Sequence, residues 1–193
     1  MGGVMFCSDA DLSGDSVIFL AHQWNFFPGK QYTPSDFNEK SVTGGTFLTL
    51  GSFGNFSLGS TSEASNGTAT YRLTLSLPDT ARTYSLYLPE IFSAYTLYLN
   101  EEKVCSQGNP DPAHYQDLIG NKEISFTASG TVHITIIVTN YSHIYSGITY
   151  PPAFGTVTAI QKYLSTRLFI SGITLAAIFL FAACSLFFFC RLK

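Results

Sequence analysis

Tyr71-Arg-Leu-Thr-Leu-Ser-Leu77 is the stretch whose reading decides the fold. Tyr71, Leu73, Leu75 and Leu77 alternate with Arg72, Thr74 and Ser76. One face is apolar and the other polar, the period-two pattern of a half-buried strand. Pro78-Asp79 stops it. Tyr84, Leu86 and Leu88 repeat the alternation and stop at Pro89, and residues 94–99 give another strand, with Leu97 and Leu99 opposite Thr96 and Tyr98. Val132, Ile134, Ile136 and Val138, alternating with His133, Thr135, Ile137 and Thr139, predict the strongest strand of all. Upstream, residues 17–20, 24–27 and 47–50 predict shorter strands, Pro28-Gly29 a turn, and residues 33–37 a short helical turn. Residues 51–70 read as a loop with a ready turn at Asn66-Gly67, and residues 141–154 as a second loop. Residues 1–16 give only weak signals. Short strands separated by turns, with no long helical period among them, predict an all-β antiparallel sandwich over residues 17–158.

From Leu168 to Cys190 the chain is uncharged and mostly apolar. As a helix this run reaches about 35 Å, enough to cross a bilayer core of about 30 Å. The predicted order is therefore a sandwich, a connector over 159–167, a transmembrane helix over 168–190 and a cytoplasmic stub over 191–193. The connector is too short for a flexible tether. The 167 residues before the run suit one domain and leave no room for two.

All thirteen Asp and Glu residues lie before the run, against six Lys and Arg up to residue 160, which puts the domain near −7. Such a domain has no electrostatic footprint for nucleic acid. Lys162, Arg167, Arg191 and Lys193 bracket the run and suit contact with lipid head groups, making the bilayer a predicted partner. Two basic residues on each side leave the orientation undecided by charge alone. Cys184 and Cys190 lie in the run, so Cys7 and Cys105 remain for the domain, either as a disulfide or as two free thiols. No Cys-x-x-Cys or His-Cys grouping suggests a metal, and no cofactor is expected. The first seven residues lack the basic and apolar segments of a signal peptide. Either the true start lies upstream, or the domain stays inside and the chain is tail-anchored.

Residues 69–107 also carry a resemblance. They read Ala-Thr-Tyr-Arg-Leu-Thr-Leu-Ser-Leu-Pro, then Tyr-Ser-Leu-Tyr-Leu-Pro-Glu-Ile-Phe-Ser-Ala-Tyr-Thr-Leu-Tyr-Leu-Asn, then Lys-Val-Cys-Ser-Gln. This resembles the galactose-binding-like jelly roll of many carbohydrate-active enzymes. It is more closely similar to the N-terminal extracellular domain of bacterial seven-transmembrane receptors with diverse intracellular signalling modules. Gln23-Trp-Asn-Phe-Phe27 with Pro34-Ser-Asp-Phe37, Ile137-Val-Thr-Asn-Tyr-Ser-His143 and Pro151-Pro-Ala-Phe-Gly155 agree with it in order. The resemblance implies that 168–190 is the first of seven helices. Its small residues Gly172, Ala176, Ala177, Ala182, Ala183 and Ser185 suit close helix packing in lipid. It further implies an extracytoplasmic domain on the bacterial inner membrane, a cytoplasmic C-terminus, a small-molecule or carbohydrate ligand, and room for a homodimer in the full-length receptor. A kinase, cyclase or phosphatase module would follow, so the chain reads as a truncated sensory front end with no enzymatic activity of its own. One departure is Asn100-Glu101-Glu102-Lys103 where the family has Asn-Gly, which predicts a longer or differently shaped turn.

The candidate ligand-binding residues are Trp24, Glu90, Asn140, His143, Tyr145 and Tyr150. Trp24 could stack on a sugar ring, although Phe26 and Phe27 beside it favour a core position. Glu90 lies in Leu88-Pro-Glu-Ile-Phe-Ser-Ala-Tyr95, which lines a pocket or, more simply, has Glu90 and Ser93 hydrogen-bonding a tight strand connection. Asn140, His143, Tyr145 and Tyr150 belong to a polar-aromatic loop that binds a ligand, packs on receptor loops or is merely solvated; His143 adds an imidazole, the side-chain type suited to sensing pH. No catalytic elbow, zinc motif or phosphate loop is present, so no catalytic residue is assigned. Asn55-Phe-Ser, Asn66-Gly-Thr and Asn140-Tyr-Ser match a glycosylation pattern relevant only to a eukaryotic secretory setting. Competing with the receptor input domain are a membrane-anchored single-pass interaction or structural protein and an accessory sugar-binding domain of a hydrolase.

Overall fold

The computed structural model describes residues 3–39, 42, 44–51 and 66–191. Asn55, Lys40, Lys193 and most of the loop expected over 51–70 lie outside them. Eleven strands and two helices are described: β1 (Val4–Phe6), β2 (Val17–Phe19), β3 (Trp24–Pro28), α1 (Pro34–Glu39), β4 (Thr46–Leu48), β5 (Gly67–Ser76), β6 (Arg82–Leu88), β7 (Ala94–Leu99), β8 (Glu102–Gln107), β9 (Lys122–Ala128), β10 (Thr131–Asn140), β11 (Ala153–Thr156) and α2 (Val157–Arg191). One sheet runs β4-β3-β5-β10-β7-β8, with β1 parallel to β5; the other runs β2-β11-β6-β9. The all-β antiparallel sandwich followed by an apolar helix is the predicted architecture.

Pairing register explains why the alternation was so legible. Leu73 stands opposite Ile134, and Ile136 is flanked by Tyr71 on one side and Leu97 on the other. These rows face Tyr84, Leu86 and Leu88 of β6 and Phe154 of β11 in one continuous buried core. The alternate positions Arg72, Thr135 and Tyr98 form a matching row on the outer face.

Some elements differ from expectation. β1 lies within the segment expected to be poorly defined. Three residues paired along β5 bring Cys7 into the core as a free, buried thiol; Cys105 is free as well. β8 and β9 are edge strands of their sheets, rich in charge and short of apolar positions. β11 is four residues long and follows two prolines, so its extent sits below any periodicity. The departure at residue 100 shortens nothing and lengthens nothing: Leu99 pairs with Glu102 across a two-residue turn. Asn100 supplies the left-handed conformation (φ 54°) that Gly would otherwise supply. Its side-chain Oδ1 accepts the His133 amide at 2.9 Å, and its own amide donates to the His133 carbonyl at 2.7 Å.

The expected connector is absent as a separate element, because α2 begins at Val157 and continues without interruption. Thr156 caps it, its Oγ1 accepting the Ala159 amide at 3.2 Å. Ala159 and Ile160 are buried, and Ile160 packs with Tyr87 and Ala153. Gly155 allows the close approach: a Cβ there would stand 3.0 Å from the Ser16 carbonyl oxygen and 3.5 Å from Ala159 Cβ. Lys162 pairs with Asp15 on the opposite side of the helix foot. Beyond Arg167 the side chains are exposed, and the helix is long and apolar enough to cross a membrane, with a mean hydropathy of 2.5 in its most apolar window. None of that window is buried, unlike the core helix of a soluble protein.

Candidate functional site

A groove of about 730 Å³ lies where the sandwich meets α2. β2 contributes Phe19, the connection after β6 contributes Pro89, Glu90 and Phe92, the loop before β11 contributes Tyr150 and Pro151, and α2 contributes Tyr163 and Arg167. The rings are held by one another. Phe19 meets Tyr163 edge-on at 5.7 Å, and Tyr163 meets Tyr87 at 6.4 Å. Arg167 lies 5.6 Å from the Tyr163 ring centroid. It also lies beside Tyr87, whose phenol burial pushes upward while the guanidinium draws it back.

The connection carrying Glu90 is held by packing, which corrects the hydrogen-bonded reading. Ile91 points into the core at 2% exposure, and among the described residues the buried Ser93 Oγ has no partner and the Glu90 side chain makes no hydrogen bond to the turn. With Ile91 pointing inward, Glu90 and Phe92 face the groove on either side of it.

The loop after β10 is built from Asn140. Its side chain is buried, donates from Nδ2 to the His143 carbonyl at 2.6 Å and accepts the His143 amide on Oδ1 at 3.1 Å. That exchange closes a tight turn and presents the His143 ring, which stacks on Phe92 at 4.9 Å and 15°. His143 Nδ1 in turn accepts the Tyr145 amide at 3.1 Å, and Tyr145 leans on both rings. The Tyr71 phenol, fully buried in the core, is held by the Ile148 backbone, and burial pushes its pKa far up. Ser146, Ile148 and Thr149 are buried too, so this loop is docked through 146–149, while Ile144 at 73% exposure and the Tyr141, Tyr145 and Tyr150 rings stay open to the surface.

Of the six candidate residues, Glu90 and Tyr150 meet in the groove, and His143 and Tyr145 buttress its wall through Phe92. Asn140 holds the loop from beneath and has no surface to offer. Trp24 is a correction: it is 0% exposed, and its indole N–H is taken by the Leu20 carbonyl at 2.7 Å. Tyr71 meets it edge-on at 6.5 Å and is itself packed on Phe26, so Trp24 is a core residue. Sequence reading missed Phe19, Phe92, Tyr163 and Arg167. Phe92 stands two residues after Glu90 in the same segment, and Arg167 drew notice only as a membrane flank; nothing in the sequence ties Phe19 to Tyr163 across 144 positions. The groove offers aromatic faces, a carboxylate acceptor and a guanidinium donor. Among the described residues no group of three or more His, Cys, Asp or Glu side chains is placed to hold a metal ion.

No family model matches the chain, and no curated protein matches it. Solved structures do share the fold. A β-glucuronidase from Faecalibacterium prausnitzii superposes with a TM-score of 0.55 at 14% identity, over 72% of this chain and 31% of that one. A glycosyl hydrolase family 2 member from Bacteroides cellulosilyticus gives 0.53 at 14% identity, over 72% and 20%. A β-glucuronidase from an uncultured Clostridium gives 0.51 at 16% identity, over 72% and 28%. The chain thus spans less than a third of the length of these enzymes. The likeness shows the fold: a galactose-binding-like β-sandwich, here followed by an apolar helix.

Proposed function

We propose that the sandwich is the extracytoplasmic ligand-sensing domain of a bacterial membrane signalling receptor, that α2 crosses the cytoplasmic membrane, and that the junction groove takes a carbohydrate. The observation that carries the reading is the shared wall: the groove is lined by sandwich loops on one side and by Tyr163 and Arg167 of α2 on the other. A ligand seated there touches both at once. Sugar rings present apolar faces that suit Phe19, Phe92, Tyr150 and Tyr163, while hydroxyls find an acceptor in Glu90 and a donor in Arg167. The sugar-active enzymes that share the fold support carbohydrate as the ligand class.

Signalling in this reading is a change in helix packing. A ligand that binds one arrangement of Tyr163 against Phe19 and Tyr87 better than another shifts α2 toward it, by as much as its affinities differ. The first turns of α2 pack on the sandwich through Ala159, Ile160 and Tyr163, so the shift is carried into the membrane segment instead of being lost in a linker. The test is a glycan-binding screen on the full chain in lipid nanodiscs. A carbohydrate ligand should bind, lose at least tenfold in affinity with Tyr150→Ala and with Glu90→Gln, and keep its affinity with Trp24→Phe. Failure of every glycan, or equal binding by the groove variants, rejects the reading.

A further inference from the structure

The outer face of the seven-stranded sheet carries a second pocket, polar and about 470 Å³ in volume, that shares no residue with the junction groove. Arg72 stands in its floor, in the middle of β5 and on the face away from the core. Its guanidinium lies 4.0 Å from the centroid of the Phe37 ring on α1. Its Nη1 is buried and has no hydrogen-bond partner among the described residues. A guanidinium keeps its charge, so an N–H removed from water and left unpaired is a standing cost that an acceptor would relieve. Stacking on Phe37 fixes the plane of the fork, which suits a planar, charged acceptor.

The surroundings narrow the acceptor. His133, on the neighbouring strand, shares its Nδ1 with Thr74 Oγ1 at 3.0 Å, leaving Nε2 as a second polar atom in the wall. The hairpin turn places Glu101 and Glu102 on the rim, Glu101 accepting from Asn38 Nδ2 at 2.7 Å. Two rim carboxylates repel a dianion and accept from hydroxyls. The fitting ligand carries one negative charge, on a planar group, and several hydroxyl donors. The volume suits a molecule of sugar size.

We infer that this pocket binds a small hydroxycarboxylate, with its carboxylate on Arg72 and its hydroxyls on Glu101 and Glu102. The site is independent of the carbohydrate reading of the junction groove. The full chain in nanodiscs, titrated calorimetrically with D-gluconate, should bind it at least tenfold more tightly than sorbitol, which differs by replacement of the carboxylate with a hydroxymethyl group, and than inorganic phosphate. Arg72→Gln should abolish the preference for gluconate, whereas Tyr150→Ala in the groove should leave it intact. Because Arg72 is packed, Glu102→Gln on the exposed rim is a second arm: gluconate should weaken and phosphate should tighten. Absence of gluconate binding, equal binding of sorbitol, or loss of gluconate binding in Tyr150→Ala would each overturn the inference.

Discussion

Thr156 Oγ1 accepts the Ala159 amide at 3.2 Å, so α2 starts on the residue that follows the last strand of the sandwich. The cap matters because the four leading amides of a helix have no partner within it. Thr156→Ala should destabilise the helix foot by about 1 kcal/mol, the usual worth of such a cap. Amide exchange at residues 159–163 should accelerate roughly fivefold, the factor that this energy sets. Exchange at wild-type rates in the variant would show that the sandwich, and not the cap, holds the first turn.

Trp24 is the single tryptophan and is fully buried, which makes its fluorescence a clean reporter of folding. Emission should be blue-shifted and insensitive to iodide in the native chain, and should shift red only on unfolding. Trp24→Ala should cost roughly 3–5 kcal/mol, as deletion of a large core ring does. Iodide quenching in the folded protein would contradict the core assignment.

The Asn140–His143 exchange is the loop's own scaffold, made by a buried side chain. Asn140→Ala leaves the His143 amide and carbonyl without these partners, at a cost of about 1–3 kcal/mol for buried polar groups. The ring stack of His143 on Phe92 should loosen with it. NMR of the His143 ring protons reads this directly: they should lose their ring-current shift in the variant, and unchanged shifts would show that stacking alone holds the loop.

The Cys7 thiol is pushed up to about 11, first by burial and then by the charge of Asp11. The native state therefore disfavours the thiolate that the unfolded chain forms above about pH 9. Stability from this group is complete below that pH and is lost as pH climbs toward 11. Buried phenols such as Tyr71, also pushed up by burial, add to the same decline. Cys7→Ala should make the fall between pH 9 and 11 shallower in chemical denaturation, and an unaltered slope would mean that Cys7 contributes nothing to it.

The parts of this structure visible in the sequence are those with local periodicity. β5, β6, β7 and β10 alternate because one face of each closes the core, and 168–190 reads as one uninterrupted apolar run, the exposed length of α2 that is long enough to cross a membrane. β1 and β11 went unread although β2 and β4 are as short: Val17-Ile-Phe-Leu20 and Phe47-Leu-Thr-Leu50 stand out as apolar runs, whereas β1 sits in a segment of weak signals and β11 directly follows Pro151-Pro152 in a stretch of loop composition. The site was half legible. Glu90 and Tyr150 stood out as polar or aromatic residues in loops, but their meeting depends on a fold that brings β2, the connection after β6 and the foot of α2 to one place. Trp24 stood as a ligand candidate because an aromatic residue looks the same in sequence whether it faces a ligand or a core, while its neighbours Phe26 and Phe27 pointed to the core where it lies. Arg72 escaped notice because it fell on the polar beat of a strand, where an arginine is ordinary.

The central claim is that α2 packs directly on the sandwich at a shared groove, with no flexible linker between Thr156 and Val157. Double electron–electron resonance on the full chain in nanodiscs tests it, with spin labels at Thr127 on β9 and Gln161 on α2, in a background with Cys105, Cys184 and Cys190 replaced by serine. The account predicts a single narrow distance distribution that broadens when two glycines are inserted between Thr156 and Val157. A distribution already broad without the insertion, or one the insertion leaves unchanged, would contradict it.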